Sequence, residues 1–321
     1  MRFSLMGEMV PRARPKRGEF TSNADHDTKI TSTIPVWLYM SSNSQAILWA
    51  LLAAALFSAV IALAKVAVVD YHVLQILLFR QFFVFLSSLP EILRTFPQSL
   101  KTRQPGLHAL RLIGAFVALS TGIWAVAVLP LTTATTLTFA QVFFVAVLAA
   151  WFLKEPVRVH RIGAVMVGFI GVVVVMRPGV DGLIDQNSLI PVIGAFCAAI
   201  AIIAVRRLSQ TETTATLLVY QSVFIGAAAA LPMIWFWKTP DLAGLTLLVS
   251  MGVLATAGQW IGVRALRMGE ASVVGNIEYS KLIYAALLGW VIFDEVPDKY
   301  TIFGAAIIIS SSLYIYHREA A

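Results

Sequence analysis

Apolar runs of about 20 residues recur along this chain, with only short polar connections between them. That length spans roughly 30 Å of hydrocarbon when coiled at 1.5 Å per residue. A soluble core of this size could not bury so much apolar length. The runs predict ten membrane-spanning helices, at about 45–66, 73–92, 107–128, 131–153, 160–176, 188–206, 213–236, 242–263, 270–293 and 300–316. The connections hold turn formers and charges, as in "RPGVDG" (177–182) and "DEVPDK" (294–299). Composition agrees: 59% of the 321 residues are hydrophobic and 13% charged. Ordinary soluble domains are nearer half apolar and about a quarter charged.

The net charge of +7 does not signal nucleic acid. The basic residues form no single stripe and instead punctuate the apolar runs. With the N-terminus inside, 17 of the 24 Lys and Arg fall in inside segments. Only Lys65, Arg177, Lys238 and Lys299 fall outside, and Arg80, Arg111 and Lys281 lie within spans. This bias predicts that both termini are cytoplasmic.

Residues 1–43 are polar, carry Arg12, Arg14, Lys16 and Arg17, and lack the apolar segment of a secretory signal. They read as a disordered cytoplasmic tail, with Met40 an alternative start. The single cysteine, Cys197, sits in an apolar run and excludes a disulfide framework. A packing thiol is expected there.

Spans four and nine end alike. "AAWFLKEPVRVHRIGA" (149–164) and "GWVIFDEVPDKYTIFGA" (289–305) share an aromatic-rich helix end, an acidic turn and a Gly-Ala start to the next helix. Glu155 and Glu295 align at an offset of 140 residues. A duplication over 44–180 and 187–317 gives each half five spans. Five is odd, so the halves lie upside down relative to each other. Inverted repeats of this kind belong to secondary transporters, with the site near the midplane between the repeats.

This organisation, with the "FLKEP" and "IFDEVPD" turns, "LLFRQFF" (77–83) and "ALRLIGA" (109–115), resembles the EamA-type members of the drug/metabolite transporter superfamily. The run "RMGEASVVGNIEYSKLIYAALLGWVIFDEVPD" (267–298) is similar to a bacterial branch with S-adenosylmethionine uptake and riboflavin transporters. The resemblance implies an all-α membrane protein of the bacterial inner membrane. It also implies ten helices in two inverted five-helix repeats. In the adenosylmethionine carriers an Arg precedes the tyrosine equivalent to Tyr279 and an acid stands at the position of Lys281. Here Glu278 precedes and Lys281 follows, so the resemblance points first to riboflavin.

Charges inside spans mark the candidate path. Glu278 and Lys281 lie near the middle of span nine, on a helical face with Ala271, Gly275, Ala285 and Gly289. A central Glu or Lys costs roughly 2.5–3.5 kcal/mol on insertion, so that face is expected to turn inward. Two readings stand: an i,i+3 ion pair that fixes packing, or a role in transport. Arg80, about eight residues into span two, could pair with Glu278 and leave Lys281 for substrate. Arg111 is expected to snorkel from the end of span three. The repeat aligns Thr138 and Gln141 of span four with Glu278 and Lys281. Thr hydroxyls tend to bond their own helix carbonyls, and Gln141 is the stronger candidate. Trp124, Tyr220, Gln221, Gln259, Trp260 and Tyr279 could offer stacking surfaces or donors, although core or interface packing is the commoner role of such aromatics.

No metal constellation, nucleophile–base pair or phosphate-binding loop is evident, so no cofactor is expected and ATP is not the direct driver. The expected function is a secondary transporter of a small organic metabolite, working by alternating access. Riboflavin uptake is the first choice and S-adenosylmethionine or another amino-acid-like metabolite the alternative. A membrane-embedded enzyme on a lipid-linked substrate is the alternative class, and it lacks the His/Asp/Glu cluster it would need. The expected partners are a small-molecule substrate and the lipid bilayer. A homodimer is allowed, and nucleic acid is not expected.

Overall fold

The computed structural model describes residues 42–97, 102, 104–152, 159–176, 186–208, 210–212, 214–268 and 277–320. The N-terminal tail, Met40, the acidic turn at Glu155 and the connection at 177–182 lie outside the described residues.

Every regular element among the described residues is helical. The first half contains α1 (Ser42–Ala67), α2 (Val73–Thr95), α3 (Pro105–Val128), α4 (Leu131–Thr138), α5 (Ala140–Phe152) and α6 (Val159–Met176). The second contains α7 (Gln186–Leu208), α8 (Thr214–Ala230), the single turn α9 (Met233–Phe236), α10 (Leu242–Met268), α11 (Ser280–Phe293) and α12 (Lys299–Ala320). Among the described residues six stretches are long and apolar enough to cross a membrane, and three shorter apolar helices accompany them. Leu131–Ala149 is the most enclosed of the six, 61% buried against 28–44% for the others. It is therefore the central element.

The halves interleave. Helix α1 packs on α10, α2 on α8, α3 on α7, α6 on α12, and α4 against α11. Exchanging the two halves turns the α1–α10 pair into α7–α3 and maps α2–α8 and α6–α12 onto themselves. A pseudo-two-fold relation between the repeats has this consequence. Small residues permit the closest approaches. A Cβ on Gly304 of α12 would sit 2.7 Å from the Gly171 carbonyl of α6 and 2.3 Å from the Val175 side chain. Gly304→Leu is expected to force α6 and α12 apart and cost about 2 kcal/mol. A drop in detergent melting temperature checks this, and Gly106→Leu, in open space, is the control.

Spans four and nine each carry a local irregularity. In span four it is a one-residue break at Phe139, whose own φ and ψ stay helical, between α4 and α5. Span nine turns at Glu278–Tyr279, just before α11. The Val142 amide bonds the Phe139 carbonyl at 3.0 Å, and the Leu282 amide bonds the Tyr279 carbonyl at 3.1 Å. Both are i→i−3 closures, tighter than the α-helical pattern. They occur at positions that the 140-residue offset makes equivalent. In α4 the cause is visible. Hydroxyls of Thr135, Thr136 and Thr138 donate to the carbonyls of Leu131, Thr132 and Thr135 at 2.6–2.7 Å. Such back-bonding competes with the helix ladder and bends it.

Candidate substrate path

The two breaks meet. The rings of Phe139 and Tyr279 stack with centroids 5.1 Å apart and planes 30° apart. Symmetry-equivalent interruptions thus touch across the interface of the halves. Interrupted helices free backbone groups where a ligand can use them.

Beside the first break lies a cavity of about 130 Å³ enclosed by α1, α2, α3, α4 and α10. Its walls are apolar, among them Ile61, Leu119, Ile123 and Met251. Polarity comes from Thr135, Thr138 and Arg80. The structure therefore brings Arg80 and Thr138 to one cavity. Arg80 is half-buried, and no carboxylate or carbonyl partners its guanidinium among the described residues. It does not pair with Glu278.

Glu278 instead pairs with Lys281. The Lys281 ammonium also lies 5.1 Å from the centre of the Phe57 ring of α1. Glu278 is the more exposed partner, 43% against 21%. Gln141 opens α5 half-buried, and Gln259 is half-buried on α10. Trp124 is 52% exposed and does not line the cavity, unlike its neighbours Gly122 and Ile123. Losing either member of the pair leaves one charge uncompensated. Glu278→Gln and Lys281→Met are each expected to lower stability by about 1 kcal/mol, and the double variant to recover most of it. Melting curves of the three variants measure that recovery. Uptake by the double variant then separates a packing role from a role in transport.

Two further constellations bridge the halves, and sequence reading missed both. In the first, Asp294 ends α11 in the left-handed conformation, with φ 54°. The Asp294 amide bonds the Trp290 carbonyl at 3.1 Å and the Glu295 amide that of Gly289 at 2.9 Å. This Schellman-type closure aims Glu295 at the start of α4. There its carboxylate accepts from the Leu131 amide at 2.8 Å and pairs with Lys65 of α1. Lys65 also donates to the Leu129 carbonyl at 2.9 Å. Glu295 thus caps a helix of the other half. The repeated acid after spans four and nine was the available signal, read only as a mark of duplication.

In the second, the buried His108 of α3 pairs with Glu212 in the connection before α8. Gln104 donates to the Thr211 hydroxyl at 3.1 Å. Arg111 is buried and donates to the Leu217 carbonyl at 3.0 Å and to Gln221 at 2.8 Å. The expected snorkelling of Arg111 is thereby corrected, because α8 supplies acceptors within reach. His108 and Leu129 lie at opposite ends of α3, roughly 31 Å apart at 1.5 Å per residue. The two constellations therefore close opposite ends of the bundle.

A second recess, of about 440 Å³, lies between α3 and α8 and is lined by His108, Phe116, Tyr220 and Phe224. It touches neither helix break. Among the described residues no cluster of three or more His, Cys, Asp or Glu could hold a metal ion.

Comparison with known proteins agrees with this architecture. The S-adenosylmethionine uptake transporter of Rickettsia felis is 30% identical over 84% of this chain and 92% of that protein. The riboflavin transporter of Vibrio cholerae is 32% identical over 69% of this chain and 75% of that protein. A crystal structure only 17% identical shares the fold at a TM-score of 0.58, covering 87% of this chain and 99% of its own. The apolar helices and bacterial transporter relatives make this a multi-pass protein of the bacterial inner membrane. The EamA-like transporter model matches twice, over residues 44–177 and 188–317, and the chain belongs to that family.

Proposed function

We propose that this chain is a secondary carrier that moves a small organic metabolite across the inner membrane by alternating access. The observation that carries the reading is the contact of two equivalent helix breaks, Phe139 against Tyr279, between the two repeats. The cavity at Arg80 lies beside the first of these breaks, and side-chain pairs bridge the halves at both ends of the bundle. In this proposal ten spans cross the membrane with both termini cytoplasmic. The helices then run so that the Lys65–Glu295 latch faces outward and the His108–Glu212 latch faces the cytoplasm. Rocking one half against the other opens one latch while the other stays shut.

The chemistry of this reading is transport: the polar groups of the cavity, Arg80, Thr135 and Thr138, are suited to bind and orient a ligand. The relatives' names bring two substrates to test, riboflavin and S-adenosylmethionine. Auxotrophic cells expressing the chain, supplied with each labelled compound, test the proposal. Saturable uptake of either compound is the expected result. Absence of both would remove these substrates, and linear, non-saturating entry would point to a channel.

A further inference from the structure

We infer that Arg80 is an anion subsite and that the cargo of this carrier bears a carboxylate. The inference rests on the carrier reading above and narrows it to a substrate class.

A guanidinium presents donors in a planar fork and stays charged under all ordinary conditions. Placed inside a protein it is normally matched by a carboxylate or by carbonyls. Arg111, one helix away, follows that rule through Leu217 and Gln221. Arg80 does not: it lines a cavity and has no protein acceptor among the described residues. The nearest candidate acid in the sequence reading, Glu278, is committed to Lys281. Arg80 is thus an unanswered positive charge beside the helix break.

The lining of the cavity, and not its volume of about 130 Å³, selects the anion. Among the described residues of the lining Arg80 is the sole charged one, so a phosphate dianion would be half neutralised. One bidentate fork matches one carboxylate. The hydroxyls of Thr135 and Thr138 spend their protons on the carbonyls of Leu131 and Thr135, which leaves oxygen lone pairs to accept from a ligand N–H or O–H. Ile61, Leu119, Ile123 and Met251 offer an apolar wall for the organic part. Riboflavin has no carboxylate, whereas S-adenosylmethionine has one. A carboxylate held at Arg80 favours S-adenosylmethionine over riboflavin, with the ammonium and sulfonium of that compound lying outside this lining, which holds no acid among the described residues.

The test uses the full chain in proteoliposomes with labelled S-adenosylmethionine and labelled riboflavin. The carboxyl methyl ester of S-adenosylmethionine serves as an unlabelled competitor. The expected result is saturable uptake of S-adenosylmethionine, with the ester competing at least tenfold more weakly than the acid. Arg80→Gln should raise KM for S-adenosylmethionine at least tenfold, and Arg80→Lys should restore part of the loss. The acid-against-ester comparison needs no variant, so misfolding of Arg80→Gln would not obscure it. Equal competition by acid and ester overturns the subsite and leaves the carrier reading standing. So does riboflavin uptake that is the same in the parent and Arg80→Gln. If the parent carries neither compound, the subsite and the carrier reading for these cargoes both fall.

Discussion

Glu295→Ala is expected to reduce uptake roughly tenfold or more while the variant still inserts in the membrane. The carboxylate serves two partners at once. One is the Leu131 amide at the start of α4 and the other is the Lys65 ammonium on α1. Both helices form walls of the Arg80 cavity, through Ala64 and Ile61 on one side and Ala134 and Thr135 on the other. Removing Glu295 leaves a helix N-terminus uncapped and a half-buried ammonium unpaired. The cap contributes about 1 kcal/mol and the charged hydrogen bond about 2 kcal/mol. A shift of that size changes the balance of two conformations by tenfold or more. Lys65→Met should produce a similar loss, and the double variant should be little worse than either single one. Accessibility gives the direction of the shift. Ile61→Cys, with Cys197→Ser, should react faster with an impermeant thiol reagent added outside when Glu295 is Ala. Unchanged labelling would show that the constellation is not a latch.

Phe139→Ala and Tyr279→Ala are each expected to cost about 2 kcal/mol of stability, less than a fully buried ring because both side chains are half-buried. The pair should be coupled. A stacked aromatic contact contributes about 1 kcal/mol beyond area burial, so the double variant should be less damaged than the sum. Tyr279→Phe keeps the ring and loses only the hydroxyl. It should therefore retain most of the stability. Unfolding curves in detergent, followed by tryptophan fluorescence, give the cycle. Strict additivity would mean that the rings do not couple the two halves.

Much of this architecture could be read from local pattern. Membrane helices declare themselves through apolar length, which needs no knowledge of neighbours. The i,i+3 spacing of Glu278 and Lys281 made their pairing one of two readings from the outset. The helix breaks were hidden for a physical reason. Neither Phe139 nor Tyr279 is a helix breaker, and the surrounding residues are as apolar as a continuous span requires. The Thr-rich "LTTATTLT" held the signal for the first break, because the competition by its hydroxyls is local. The latches depend on tertiary pairing that no short window contains. Lys65 and Glu295 are 230 residues apart, and His108 and Glu212 are 104 apart. Arg80 was visible as an intramembrane charge, but its lack of a partner appears only once the surrounding helices are in place.

Counterflow tests the central claim most directly. Proteoliposomes holding the purified chain are preloaded with unlabelled S-adenosylmethionine or riboflavin and diluted into trace labelled compound. Alternating access between the halves predicts that preloading with the transported compound drives transient accumulation of label, and that Glu295→Ala abolishes it. Label that enters at the same rate with and without preloading, and never exceeds the outside concentration, would contradict the account.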